Sequence, residues 1–168
     1  MDHDEIHDHF LAVYDRYADD IFRFCALKVS GRETAQDIAQ EVFMRYWQQL
    51  RTGTDIGSDR ALLYTIARNL VIDWYRKRKE QSLDTLMDAG FEFASDDHRS
   101  IATHAEIREV IEVINELDEP SREALTLRFV EGFAPKEIAD ITGETANAIS
   151  VRINRALKKV QDHLHIHD

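Results

Sequence analysis

Cysteine, proline and glycine are all scarce in this chain of 168 residues. It contains one cysteine, Cys25, two prolines and six glycines. A single cysteine excludes an internal disulfide and any metal site built from paired cysteines. Because proline and glycine are the residues that most often interrupt helices, their low counts favour long, continuous helices.

Long apolar runs are also missing, and so is the apolar alternation that marks half-buried strands. No stretch approaches the length needed to cross a membrane, and the acidic start at residues 1–5 is unlike a secretory signal. The sequence contains no glycine-rich phosphate loop and no obvious nucleophile with a partner base. We therefore expect a cytoplasmic, all-α protein without membrane insertion, which is not an enzyme and needs no cofactor or metal ion.

Positive charge is in short supply, since the net charge is −11. Residues 51–81 are the exception, with seven basic and four acidic side chains. Their basic run, Arg76–Lys79, follows a helical pattern that contains Tyr64, Trp74 and Tyr75. Aromatic rings beside cations suit unstacked bases and their phosphates. A solvated helix end, where cations complement the helix dipole, is the alternative interpretation.

The first fifty residues predict two helices with a break near residues 30–31. The first helix has a heavy apolar face, in which we expect Cys25 to be a buried structural thiol. In the second, Ile38 and Val42 point inward by their spacing. Asp37, Gln40, Glu41 and Arg45 fall together on the outer face. This cluster could dock a basic partner, or it could be ordinary surface pairing such as that of Glu41 with Arg45.

Residues 51–58 read as a loop from their glycines and small polar side chains. We expect Asp59 to cap a third helix over residues 60–79, with Leu63 and Val71 among its buried residues. Helical periodicity then gives way to an acidic stretch rich in serine and aspartate, which predicts a flexible linker over residues 82–104.

The C-terminal segment predicts a helix-turn-helix. Pro135 suits the first position of a helix, and Gly143 gives the backbone freedom for the turn. Before it, Ser121 is a candidate cap for a helix that runs to Glu131. The second helix of the motif has an apolar stripe from Ile149 onward, and short polar and basic side chains on the opposite face. Such a face can read base edges in a major groove, although a plain helical hairpin has the same pattern.

Four segments in the correct order resemble the extracytoplasmic-function (ECF) class of bacterial RNA polymerase sigma factors. They are Asp37–Trp47, Leu63–Arg76, Leu117–Gly132 and Lys136–Asp140. The resemblance implies two small helical domains joined by the acidic linker. A region-2-like bundle would comprise residues 1–81, and a region-4-like helix-turn-helix domain would comprise residues 105–168.

The resemblance also implies partners and sites. Core RNA polymerase would bind Asp37, Gln40 and Glu41, and the loop with Asp55 and Ile56 would capture a base flipped from the non-template strand. An anti-sigma protein would be a further partner. Four residues would position the opened downstream promoter strand: Asn69, Trp74, Arg76 and Lys77. Seven residues would contact the upstream promoter DNA: Asn147, Ser150, Val151, Arg152, Asn154, Arg155 and Lys158.

Three positions depart from the family pattern, namely Leu62, where many relatives have tryptophan, and Ser150 and Val151 in the recognition helix. The altered recognition helix and the acidic balance of the chain leave open a sigma-like decoy that sequesters an anti-sigma protein without reading promoters. Histidines near both termini leave open a metal site, with frayed polar ends as the simpler interpretation. These histidines are His3, His7, His163, His165 and His167.

Overall fold

The structure of the protein, a computed structural model, describes residues 2–81 and 101–165, with side chains from residue 108 onward in the second range. These residues separate into two compact units, one in each range. All regular elements described are helical, so the predicted all-α fold is confirmed. None of the described helices has the length and apolar character that a membrane span requires.

The first unit is a bundle of three long helices: α1 (His3–Lys28), α2 (Arg32–Arg51) and α3 (Asp59–Gln81). Asp2 and Glu5 form a capping box at the start of α1. The predicted break at residues 30–31 is present, and Gly31 takes a φ of 91° that a side chain would oppose. The unit therefore has the helices that the sequence predicted.

The core of the first unit lies where the three helices meet. Cys25 is fully buried, as expected, and burial raises the pKa of its thiol to about 12. Tyr64 is also fully buried, with its ring centroid 5.1 Å from that of Phe24. Tyr64 is therefore a core residue, and the interpretation that it could stack on an unpaired base is wrong.

The second unit contains four helices: α4 (Ile101–Asn115), α5 (Glu119–Leu125), α6 (Pro135–Thr142) and α7 (Ala146–His163). α4 includes the last four residues of the predicted linker, 101–104. The single helix expected from Ser121 to Glu131 is wrong, because Asp118 occupies the N-cap position of α5 and a π-helical turn, Thr126–Val130, follows. Residues 82–100 of the predicted linker lie outside the described residues.

The helix-turn-helix is formed by α6 and α7. Pro135 is at the start of α6, and Gly143 ends it in the left-handed conformation with a φ of 76°. The hydroxyl of Thr145 caps α7 by accepting the backbone N–H of Ala148 at 3.1 Å. Ile149 and other apolar side chains bury the inner face of α7. The helix thereby turns its polar face to the outside of the unit.

Candidate functional site

The outer face of α2 carries the predicted polymerase-binding residues. Asp37 and Gln40 are exposed, while Glu41 is half-buried and pairs with Arg45 at 2.7 Å. The spacing of these residues places all three on the side of α2 that faces away from the core. An exposed ion pair of this kind stabilises a helix by only about 0.3–0.5 kcal/mol. The Glu41 carboxylate can therefore leave Arg45 for another partner at little cost in free energy.

Met44 lies in the middle of this face and was missed by sequence reasoning. It is 58% exposed, and Gln40, Glu41 and Gln48, which precede and follow it along the stripe, are polar. It stands three residues after Glu41 and seven after Asp37, on the outer stripe of the helix. The signal was an apolar residue at a position that the helical pattern gives to polar residues.

The loop over residues 52–58 is fixed at both ends. The Thr52 hydroxyl donates to the carbonyl of Gln49 at 2.9 Å, and Ser58 accepts the backbone N–H of Ala61 at 3.2 Å. Ser58, and not Asp59 as predicted, is therefore the residue that caps α3. Between these anchors Asp55 is exposed and Ile56 is half-buried.

Two of the downstream-promoter candidates share one face of α3. Asn69 and Arg76 are both exposed and seven residues apart, and Ile72, which the sequence interpretation did not single out, lies between them with 45% of its side chain exposed. The Arg76 guanidinium pairs with Asp73 at 2.5 Å. Lys77 is exposed one residue beyond.

Trp74 is not brought to that face. It follows Val71 and Ala67 along the buried stripe of α3 and lies where the stripe leaves the bundle. Arg78 covers its ring at 5.1 Å and also donates to the Ser30 hydroxyl at 2.6 Å. The half-buried Trp74 ring therefore packs within the first unit at the end of α3, apart from Asn69 and Arg76.

Five of the seven upstream-promoter candidates form one exposed face on α7. This face runs along about three turns and consists of Asn147, Val151, Asn154, Arg155 and Lys158. Ser150 is half-buried at its edge. The face opposes the buried stripe that contains Ile149 and Ile153.

Arg152 lies away from that face. Its guanidinium donates to the Glu144 carboxylate at 2.5 Å, across the turn of the helix-turn-helix. The hydrogen bond to Glu144 raises the pKa of Arg152 above its usual value. The structure thus places Arg152 within the unit as a link between the turn and α7, which sequence reasoning could not separate from the exposed cations.

Within each unit, the histidines near the termini have other neighbours. The described side chains, those of residues 2–81 and 108–165, contain no group of three or more potential metal ligands. His163 instead lies 3.9 Å from Glu116, and the ring of His7 contacts Trp47 edge-on at 6.5 Å. His167 lies outside the described residues.

Two family models match the chain. Residues 13–81 match the model for sigma-70 region 2, and residues 107–160 match the model for sigma-70 region 4. The two matches fall on the first and second structural units respectively.

Curated relatives are similar over most of the chain. The ECF RNA polymerase sigma factor SigM of Bacillus subtilis is 31% identical, and the match covers 87% of this chain and 91% of SigM. The ECF sigma factor BldN of Streptomyces coelicolor is 32% identical over 90% of this chain, which spans only 58% of BldN.

Two solved structures of similar fold are complexes. A Bartonella quintana sigma factor, RpoE, bound to the anti-sigma factor NepR, matches with a TM-score of 0.73 and 24% identity, over 98% of this chain and 99% of RpoE. CnrH, in complex with the cytosolic domain of CnrY, matches with a TM-score of 0.65 and 22% identity, over 96% of this chain and 91% of CnrH.

Proposed function

The chain belongs to the ECF family of RNA polymerase sigma factors, and from that membership we propose that it binds core RNA polymerase, opens promoter DNA and reads the upstream promoter element. Residues 1–81 bind the enzyme and the opened strand, and residues 105–168 anchor to duplex DNA. The protein supplies specificity, catalyses nothing itself and acts in the cytoplasm. The observation that carries the proposal is the order of two matched sigma regions, each on its own helical unit.

Polymerase binding is assigned to the outer face of α2. Asp37 and Gln40 are exposed there, and Met44 adds an apolar centre to an otherwise polar face. An interface with a buried apolar centre and a charged rim is typical of specific protein contacts. Changing Asp37, Gln40 and Glu41 together to alanine should abolish binding to core polymerase and promoter-dependent transcription.

A matched control removes the same amount of charge elsewhere. Asp15 and Asp19 are exposed on α1, and their double change to alanine also removes two negative charges. This variant should bind core polymerase as the parent chain does. Equal loss in both variants would indicate a general charge effect, and full activity of the triple variant would contradict the proposal.

DNA contacts are assigned to both units. Asp55 and Ile56 on the loop, with Asn69, Arg76 and Lys77 on α3, receive the opened strand, and Trp74, on the other side of α3, supports the helix from within the bundle. The exposed face of α7 meets the upstream duplex through Asn147, Ser150, Val151, Asn154, Arg155 and Lys158, with Arg152 supporting it from the turn. Changing Asp55 and Ile56 to alanine should slow promoter opening and leave polymerase binding intact.

An anti-sigma protein is proposed as a further partner, since RpoE, a protein of similar fold, was solved in complex with an anti-sigma factor. The competing function is a decoy that binds such a protein and reads no promoter, which the altered recognition helix at Ser150 and Val151 favours. In vitro transcription with purified core polymerase and a promoter library separates the two. A decoy would yield no promoter-dependent transcript.

A further inference from the structure

Asp59, the first residue of α3, is contacted by side chains from both other helices of its unit. The Tyr46 hydroxyl of α2 donates to its Oδ1 at 2.7 Å, and Nε2 of His9 in α1 lies 3.1 Å from its Oδ2. A carboxylate can only accept hydrogen bonds, so both partners are donors. Asp59 therefore joins three helices through its two oxygens.

The two contacts differ in their surroundings. Tyr46 is fully buried, and its hydroxyl would lack a partner without Asp59, which carries a free-energy cost in a protein interior. Burial, and next the hydrogen bond to Asp59, raise the pKa of Tyr46, so the proton stays on the tyrosine. The side chains of His9 and Asp59 are 38% and 28% exposed, so this second contact is partly screened by water.

Asp59 lies next to the loop over residues 52–58, so its contacts also hold one end of that loop. It directly follows Ser58, which caps α3 and ends the loop over residues 52–58. At the other end of the loop, Thr52 is fixed by its hydroxyl to the carbonyl of Gln49. The exposed Asp55 therefore lies between Thr52 and Ser58, and the Ser58 end of the loop adjoins Asp59, which contacts side chains of both other helices.

We propose that Tyr46, Asp59 and His9 are positioning residues that hold the loop over residues 52–58 in the geometry needed to capture a flipped base. None of the three contacts DNA. The inference rests on the proposed function, because it concerns the step at which that loop receives the base. Preorganised binding loops lose less conformational entropy when they bind, so loosening the anchor slows capture while the polymerase-binding face stays unchanged.

Tyr46→Phe tests the inference with the loss of one hydroxyl and no change in ring packing. In holoenzyme on a mapped promoter, the rate at which permanganate modifies unpaired thymines should fall about tenfold, as expected for losing a hydrogen bond to a carboxylate. The affinity for core polymerase should not change. His9→Ala should also slow opening, and His9→Gln, which keeps an N–H donor, should restore most of the rate.

Ser30→Ala is the matched control. It removes a hydroxyl that accepts from Arg78 and joins the far end of α3 to the turn between α1 and α2. If Asp59 only stabilised the bundle, the rate of promoter opening would follow thermal stability alone. A Ser30→Ala variant and a Tyr46→Phe variant with the same thermal midpoint would then open promoters at the same reduced rate. That result, or parental opening by the Tyr46→Phe variant, overturns the inference. If the parent chain opens no promoter with core polymerase, the proposed function fails and the inference fails with it.

Discussion

Two arginines on α7, three residues apart, have different surroundings. Arg155 is exposed on the outer face, whereas Arg152 is paired with Glu144. We expect Arg155→Ala to weaken promoter binding by holoenzyme and to leave thermal stability unchanged. The slope of the logarithm of the binding constant against the logarithm of the salt concentration should become shallower by about one. Arg152→Ala should instead lower the stability of the second unit by up to about 1 kcal/mol, since the pair is partly screened. Filter binding at several salt concentrations and thermal denaturation distinguish the two.

Cys25 makes a second prediction at the same scale. Its thiol is fully buried and its pKa is raised to about 12, so little thiolate exists at pH 8. An alkylating reagent should leave the native chain unmodified at that pH and modify it rapidly in denaturant, as followed by intact mass. Rapid modification of the native chain would contradict the burial of this residue.

Met44 provides a third prediction at the scale of single residues. Met44→Ala should weaken binding to core polymerase by more than about 1 kcal/mol if the side chain becomes buried at the centre of that interface. Leu11→Ala is the control, because Leu11 is also an exposed apolar residue, 44% accessible, but lies on α1. Titration of labelled chain with core polymerase measures both. Similar affinities for the two variants would remove Met44 from the interface.

At the scale of elements, the turn between α6 and α7 depends on Gly143. Its φ of 76° disfavours any residue with a Cβ atom, although the space around it is open. Gly143→Ala should therefore destabilise the second unit by about 1 kcal/mol. Gly57→Ala, at a glycine without a left-handed φ and with equally open space, is the control and should cost less. Chemical denaturation followed by circular dichroism measures both variants.

The elements that could be predicted from sequence were those with strong periodicity and caps. α1, α2 and the helix-turn-helix follow directly from apolar spacing, Pro135 and Gly143. The π-helical turn over Thr126–Val130 could not be predicted, because it depends on how the chain fits its neighbours and leaves no distinct residue pattern. The same limit applies to Asp59, whose partners come from two other helices and not from its own.

The candidate site could also be predicted from the sequence only in part. Helical spacing was enough to group Asp37 with Gln40 and Asn147 with Asn154, because residues three, four and seven apart share a face. The same spacing also separates Trp74 from Arg76, because residues two apart lie on different sides of a helix. The prediction overlooked this by treating the basic run and its aromatic neighbours as one continuous surface, whereas Trp74 packs under Arg78 and Arg76 pairs with Asp73.

For the whole molecule, the net charge of −11 makes the free chain a poor ligand for DNA. We expect the purified chain alone to leave promoter fragments unshifted in an electrophoretic assay at physiological salt, and holoenzyme to shift them. The polymerase would then supply most phosphate contacts, whose counterion release dominates affinity. Tight, sequence-specific binding by the free chain would contradict this division.

The ion pair between Arg152 and Glu144 has a consequence for engineering. Because it braces the turn from the inner side, side chains on the outer surface of α7 can be exchanged without disturbing the scaffold beneath them. Val151 offers a methyl-bearing surface of the sort that suits a thymine methyl, and a bidentate amide or guanidinium at the same place would favour adenine or guanine instead. On the proposed function, swaps at a few solvent-facing positions should accordingly change the promoter preference.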